Sequence, residues 1–362
     1  MSQTELACFA RMSVATRSPG SSNRPRGSSK LGPARLRERA RGLTLTPGQY
    51  TRVTQVALAA LAVIVITGAT VRLTGSGLGC PDWPKCYGRA LPPLDTHAVI
   101  EYGNRVVSGL VGIVAVLASL LAWRRRPYRR DLALLGLLLP LGVVAQAVLG
   151  GILVRDQLKP TMVMVHFGLS MLILVAATIL VWRAGHEPGA QTRMLGVRST
   201  RQMWTVRGLV GLGAVTIVAG TVATAAGPHS GGTHGQVIER LNFKGASTLD
   251  WTIHRHGDLG ALLGLGAVLL WWWLRRTGAG RDVRRAVGWV CVLLVAQGAV
   301  GLIQYYTELP AELVWVHVTL ATLTWLALLW AAAAAGRPSA RIAAQTTEAP
   351  VTRAGVRERL PA

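Results

Sequence analysis

Charge is what this sequence has least of. Only 15% of its 362 residues are charged, where a soluble domain carries about 25%, so an ordinary solvated globular surface is excluded. Acids are the scarcer sign: 16 Asp and Glu stand against 39 Lys and Arg, a formal net charge of +23. Such a balance raises nucleic acid as a partner. The distribution excludes it, because the arginines sit between apolar runs and in the tails rather than along a groove. No charge lies mid-span in those runs, which argues against an ion or solute channel. Residues 1–45 lack apolar periodicity, and they lack the compact apolar core of a cleavable signal peptide. They are rich in Arg, Ser, Gly and Pro and read as a disordered tail.

What is present is apolar sequence in long runs. Apolar residues make up 51% of the chain, and runs of about 20 match the hydrocarbon thickness of a bilayer. Eight spans are predicted, near 53–73, 98–123, 132–154, 161–182, 208–226, 252–274, 285–306 and 313–335. Each must be helical, because backbone polar groups in lipid have to be satisfied within their own segment. Pro140 falls inside the third span and is expected to kink it. The linkers after spans two, four and six are rich in arginine (Arg124, Arg125, Arg126, Arg129 and Arg130 in the first), whereas the alternate connections are poorer in cations. By the positive-inside rule both termini are cytoplasmic. Trp123, Trp182, Trp271, Trp272, Trp273 and Trp330 cluster at the same ends, as an interfacial belt does.

The chain also repeats itself. Gln146-Ala-Val-Leu-Gly150 precedes His166, and Gln297-Gly-Ala-Val-Gly301 precedes His317, with the same Gln-to-His spacing of 20 residues. Ile66-Thr67-Gly68 is matched by Val218-Ala219-Gly220. The expected fold is an all-α polytopic membrane protein with eight transmembrane helices, arranged as two pseudo-symmetric four-helix bundles. The expected organisation is a basic cytoplasmic tail (1–50), a first bundle (51–185), a cytoplasmic linker (186–207), a second bundle (208–335) and a second tail (336–362).

Of eight histidines, His97 at a span edge and His186 in a linker read as solvated bystanders. His166, His256 and His317 fall near the outer starts of spans four, six and eight. Ionisable residues within a span are expensive and functional by default, and imidazoles from facing helices suit haem iron. Span six offers His254 or His256. Gly260 and Gly264 follow His256 at helical spacing and leave room for a flat macrocycle, whereas Asp258 follows His254, so His256 is the choice. In span two, Asn104 stands where symmetry expects a fourth ligand. Glu101 lies on the same face, either as an ion-pair partner of Arg105 or as a proton acceptor beside a bound substrate.

Cys80 and Cys86 flank a Pro-rich outer loop, and disulfides form outside the reducing cytoplasm. The pair reads as a staple or as a redox-cycling couple. Zinc is a weak third reading, because no Cys or His pair lies nearby. Cys8 and Cys291 have no evident partner.

The stretch Gly75-Ser-Gly-Leu-Gly-Cys-Pro-Asp-Trp-Pro-Lys-Cys86 resembles the first outer loop of the heme A synthase family. Glu101 and Arg105 resemble that family's Glu-x-x-His-Arg motif. Gln146 to Gly151, His166, Gly227-Pro228-His229, His256 and His317 also fall on its pattern, over roughly residues 50–335. The sequence departs from it at Asn104, where many members carry His, and in its long basic N-terminal tail. The resemblance implies a membrane oxidoreductase that oxidises the C8 methyl of haem O to a formyl group, with water as the oxygen source. It implies a resident haem b between His256 and His317. Haem O, the substrate, would sit near Glu101 (catalytic), Asn104 and His166, with Cys80–Cys86 as a disulfide. The partners expected are haem O, membrane lipid, haem O synthase and cytochrome oxidase assembly factors, without nucleic acid, at the plasma membrane. The rival functions are a b-type haem electron carrier and a haem chaperone for oxidase assembly. A carrier commonly pairs two His about four turns apart on one helix, and no span here has that pairing.

Overall fold

The computed structural model describes residues 44–187, 197, 199–233 and 235–336. The tails at 1–43 and 337–362, Cys8 and most of the linker at 188–196 lie outside the described residues. Among the described residues eight long α-helices follow in chain order: α1 Pro47–Leu73, α2 Thr96–Ala122, α3 Arg130–Arg155, α4 Pro160–Gly185, α5 Thr200–Ala226, α6 Thr248–Arg276, α7 Arg281–Tyr306 and α8 Ala311–Ala335. All eight are long and apolar enough to cross a membrane. Among the described residues the only β-type pairings are isolated bridges. The chain is an all-α, eight-span, multi-pass membrane protein.

Local chemistry sets the helix ends. Thr46 and Gln49 form a capping box on α1, with Pro47 in its first turn, a combination that satisfies orphan amides and presets the backbone. The helix therefore starts within the stretch expected to be tail. Asp95 caps α2 through the amides of His97 and Ala98, both at 3.0 Å. Ser199 caps α5, which starts at Thr200 rather than near 208. Hydropathy marks only the part of a helix that lipid covers, while the cap decides where it begins. The extra turns carry Arg201 and Arg207, whose guanidiniums lie over the Trp273 and Trp204 rings. α3 runs as one helix through Pro140.

Helices α1 to α4 pack as a ring in which α4 returns to α1, and α5 to α8 do the same. The rings meet where α8 touches α1 and α4, and where α4 touches α5. Lipid gives helices no hydrophobic drive to associate, so small residues and interhelical hydrogen bonds do more of the work. Ala115, Ala118 and Ala122 are buried on α2, and the buried Tyr50 hydroxyl donates to the Ala118 carbonyl at 3.2 Å. Trp325 on α8 donates to the Met171 carbonyl on α4 at 3.1 Å. Leu110, Ile113, Leu117 and Leu120 on α2 are exposed, as a lipid-facing stripe requires.

At the arginine-rich end, the fully buried Arg125 binds Glu187 and the Pro127 carbonyl. Arg129 donates to the carbonyls of Arg183 and His186 at 2.7 and 2.9 Å. His186 is not a solvated bystander. Its ring stacks on Trp182 at 4.1 Å and bonds that residue's carbonyl, because an i,i+4 pair meets on a helix surface.

Candidate functional site

The three singled-out histidines share one end of the molecule. His166 lies six residues into α4, His256 eight into α6 and His317 six into α8, depths of about 9–12 Å at 1.5 Å per residue. The structure brings His256 and His317 together, with ring centroids 6.0 Å apart. His256 Nδ1 is bonded to the Thr216 carbonyl on α5 at 3.1 Å. That fixes the tautomer and leaves Nε2 as the free nitrogen, the bracing expected of an imidazole ligand. Gly220 makes this placement possible, since a Cβ there would lie 2.9 Å from the His256 ring. His254 is exposed and bonds the Asp250 carbonyl instead, so the ring facing His317 is that of His256. A Cβ at Gly260 or Gly264 would meet nothing within 4 Å, leaving open space along α6.

The two halves use the same device, once each. Gln146 donates to the His166 carbonyl at 3.0 Å, and Gln297 to the His317 carbonyl at 3.1 Å. The turns that follow place Gln157 and Leu158, then Glu308 and Leu309, at positive φ. Buried polar atoms without a partner recur in both halves: Asn104 Oδ1, Gln146 Oε1 and His166 Nδ1 in the first, and Gln297 Oε1, Gln304 Oε1 and His317 Nδ1 in the second. Each such atom costs about 1–3 kcal/mol if left unsatisfied, so both halves carry an unmet polar demand at the same Gln and His positions. Sequence reasoning used the two glutamines only as repeat markers. Their amides, aimed at the histidine carbonyls, belong to the site.

Glu101 sits at the top of α2 and is buried. One carboxylate oxygen accepts from Arg105 at 2.6 Å, and the other from the Cys80 amide at 2.7 Å. Arg105 also donates to the carbonyls of Asp82 and Lys85. Cys80 and Cys86 are joined in a disulfide and fully buried, which leaves no thiol for zinc. The loop is therefore anchored to α2 through Glu101 and Arg105. A Cβ at Gly79 would fall 2.3 Å from the His97 carbonyl, so only glycine permits this approach. His97 is not a bystander either, because its Nδ1 meets Ser76 Oγ at 3.0 Å. Trp83 packs against Gly151, next to the Gln146–Gly150 segment.

The loops of the two halves interlock. Arg72, at the end of α1, donates to the carbonyls of His229 and Thr224 at 2.9 and 3.1 Å. The Gly77 amide donates to the Gly231 carbonyl at 2.6 Å. His229 Nε2 meets the Leu309 carbonyl at 2.7 Å, and Trp315 donates to Thr70. Arg72 was missed from sequence, although a lone arginine inside the cation-poor end of a span is a usable signal. A cavity of about 520 Å³ opens at this end of the second half, lined in part by Arg240, Asp250, Ile253, Tyr305 and Glu308. Ile253 lies one turn before His256. Burial pushes the Arg240 guanidinium below its ordinary range.

Residues 51–329 match the family model described as cytochrome oxidase assembly protein. The chain is similar to the heme A synthase of Symbiobacterium thermophilum, 30% identical over 259 residues that cover 67% of this chain and 81% of that one. It is similar to the heme A synthase of Alkalihalophilus pseudofirmus, 35% identical over 131 residues (34% of this chain and 44% of the relative). That of Bacillus licheniformis is 29% identical over 141 residues, 38% and 47% of the two chains. The match thus spans less than half the length of the last two relatives.

Proposed function

Because the chain belongs to the cytochrome oxidase assembly protein family, we propose that it is a heme A synthase, converting haem O to haem A in the plasma membrane. The observation that carries this reading is the His256–His317 ring pair at 6.0 Å. The two imidazoles come together from α6 and α8, and because His256 Nδ1 is bonded to the Thr216 carbonyl, its Nε2 would be the nitrogen that meets a metal-bearing ring. His256 and His317 are thus suited to hold a resident haem b. When bound, that haem supplies one-electron redox chemistry.

Haem O, the substrate, is assigned to the first half, beside His166, Asn104 and Glu101. Asn is a poor iron ligand, so His166 holds the iron alone, and loose ligation suits a ring that must leave. Turning the C8 methyl into a formyl group would take one oxygen from water and release four protons and four electrons, the electrons passing to an external one-electron acceptor. Glu101 is the group assigned to take a proton. The Cys80 amide and Arg105 keep its carboxylate oriented, and the buried Cys80–Cys86 disulfide lies against it. The arginine-rich ends face the cytoplasm in this reading, with both termini there.

The test is expression alongside a haem O source, followed by analysis of the extracted haems. Haem A is expected from the native chain. Haem b alone would indicate an electron carrier, and bound haem O without formyl product a chaperone; either overturns the reading. Glu101→Gln should retain haem and the disulfide but yield no haem A, whereas normal haem A output from it removes the catalytic role.

A further inference from the structure

At the end of the molecule far from the histidines, α6 closes with Trp271-Trp-Trp-Leu-Arg275-Arg and α7 opens with Arg281-Asp-Val-Arg284-Arg285. Between them lies a cleft of about 330 Å³ lined by Trp271, Arg275, Arg281, Arg284, Arg285 and Gly288. Four guanidiniums face it, and none is in an ion pair among the described residues. Asp282 is the one acid in this stretch of sequence, and it does not line the cleft.

Topology signals alone explain arginines at a helix end, but they do not explain this arrangement. Arg284 Nε is shut off from water and has no acceptor. A donor left without an acceptor costs free energy, and an anion in the cleft would supply one. Arg275 lies over the Trp271 ring at 4.7 Å, which holds its charge at the rim. Gly288 keeps the cleft open, since a Cβ there would sit 3.2 Å from the indole nitrogen of Trp271. The α7 N-terminus carries no side-chain cap, and its free amides add to the pull on an anion. Trp289 and Val292, just below on α7, are exposed, as acyl chains would require.

We propose that this cleft binds the phosphate headgroup of an anionic phospholipid, with the acyl chains lying along α7. Basic pockets between helices at headgroup level are suited to such lipids. The shared chemistry is phosphate oxygens, which inorganic phosphate also offers. The lipid is favoured because the cleft lies at a span end, beside exposed apolar surface.

The test is native mass spectrometry of the full-length protein in detergent, with cardiolipin, phosphatidylglycerol, phosphatidylcholine or inorganic phosphate added. Retention of cardiolipin or phosphatidylglycerol, but not of phosphatidylcholine, is expected. The double variant Arg275→Gln, Arg284→Gln should weaken that binding about tenfold or more. Gly288→Leu fills the cleft with every charge kept, and it should weaken binding as well. Equal retention of phosphatidylcholine overturns the proposal. So does inorganic phosphate displacing the lipid at equal concentration, which would make this a free-phosphate site. Unchanged binding in Gly288→Leu would reduce the effect to diffuse surface charge and equally overturn it. An unchanged unfolding temperature without lipid shows that the variants fold.

Discussion

Gly220→Ala should dislodge the imidazole that the second half is built around. The added Cβ would stand 2.9 Å from His256 Cε1, 3.3 Å from Nδ1 and 3.4 Å from Nε2. The first of these distances is shorter than contacts real Cβ atoms make, so the ring or α5 has to shift. Overpacking of this kind costs about 1–3 kcal/mol. A tilt of the ring also strains the 3.1 Å bond from His256 to the Thr216 carbonyl, worth about 1 kcal/mol. A combined loss of about 2–4 kcal/mol corresponds to roughly thirtyfold to several hundredfold in affinity for whatever the His256–His317 pair holds. The assay is haem content per protein and the absorption spectrum of the reduced protein, where loss of one axial imidazole changes the low-spin bands. Gly68→Ala is the internal control. It occupies the matching place in the sequence repeat on α1, yet a Cβ there meets nothing within 4 Å. Its spectrum should match the native one. Full haem content in Gly220→Ala, or an equal loss in Gly68→Ala, would refute the steric reasoning.

Asn104→His should give a first-half haem a second imidazole and low-spin bands. A variant that folds but shows an unaltered spectrum would mean that Asn104 is not opposite His166 across the ring. Arg72→Ala removes two charge-assisted bonds to carbonyls of the other half, at about 1.5–3 kcal/mol each for hydrogen bonds to a charged group. Its unfolding temperature should fall by several degrees, and protease should cut the 227–247 segment faster; unchanged proteolysis would show that the halves are held elsewhere. Reducing the Cys80–Cys86 bond, or Cys80→Ala, should loosen the amide that holds Glu101 and lower haem A output. Full output after reduction would leave the disulfide a minor structural role.

Much of the molecule was legible because a bilayer is an unforgiving solvent. Long apolar runs with arginine between them fix the number of spans, and the repeated Gln-to-His spacing pointed to the residues that line up in depth. The glycines beyond His256 singled it out over His254, and it is the His256 ring that meets His317. Helix ends were less legible. α5 begins at a serine cap, in a stretch that hydropathy assigns to a linker.

Other features depended on contacts between distant segments. That His97 and His186 have partners, that Glu101 is fastened to both Arg105 and the Cys80 amide, and that Arg72 reaches across to the second half cannot be read from spacing. Each depends on where a loop or a neighbouring helix comes to rest. The apolar pattern is one-dimensional and reports what faces lipid. Which side chain meets which carbonyl is set by ring packing and loop closure, and only the folded chain decides it.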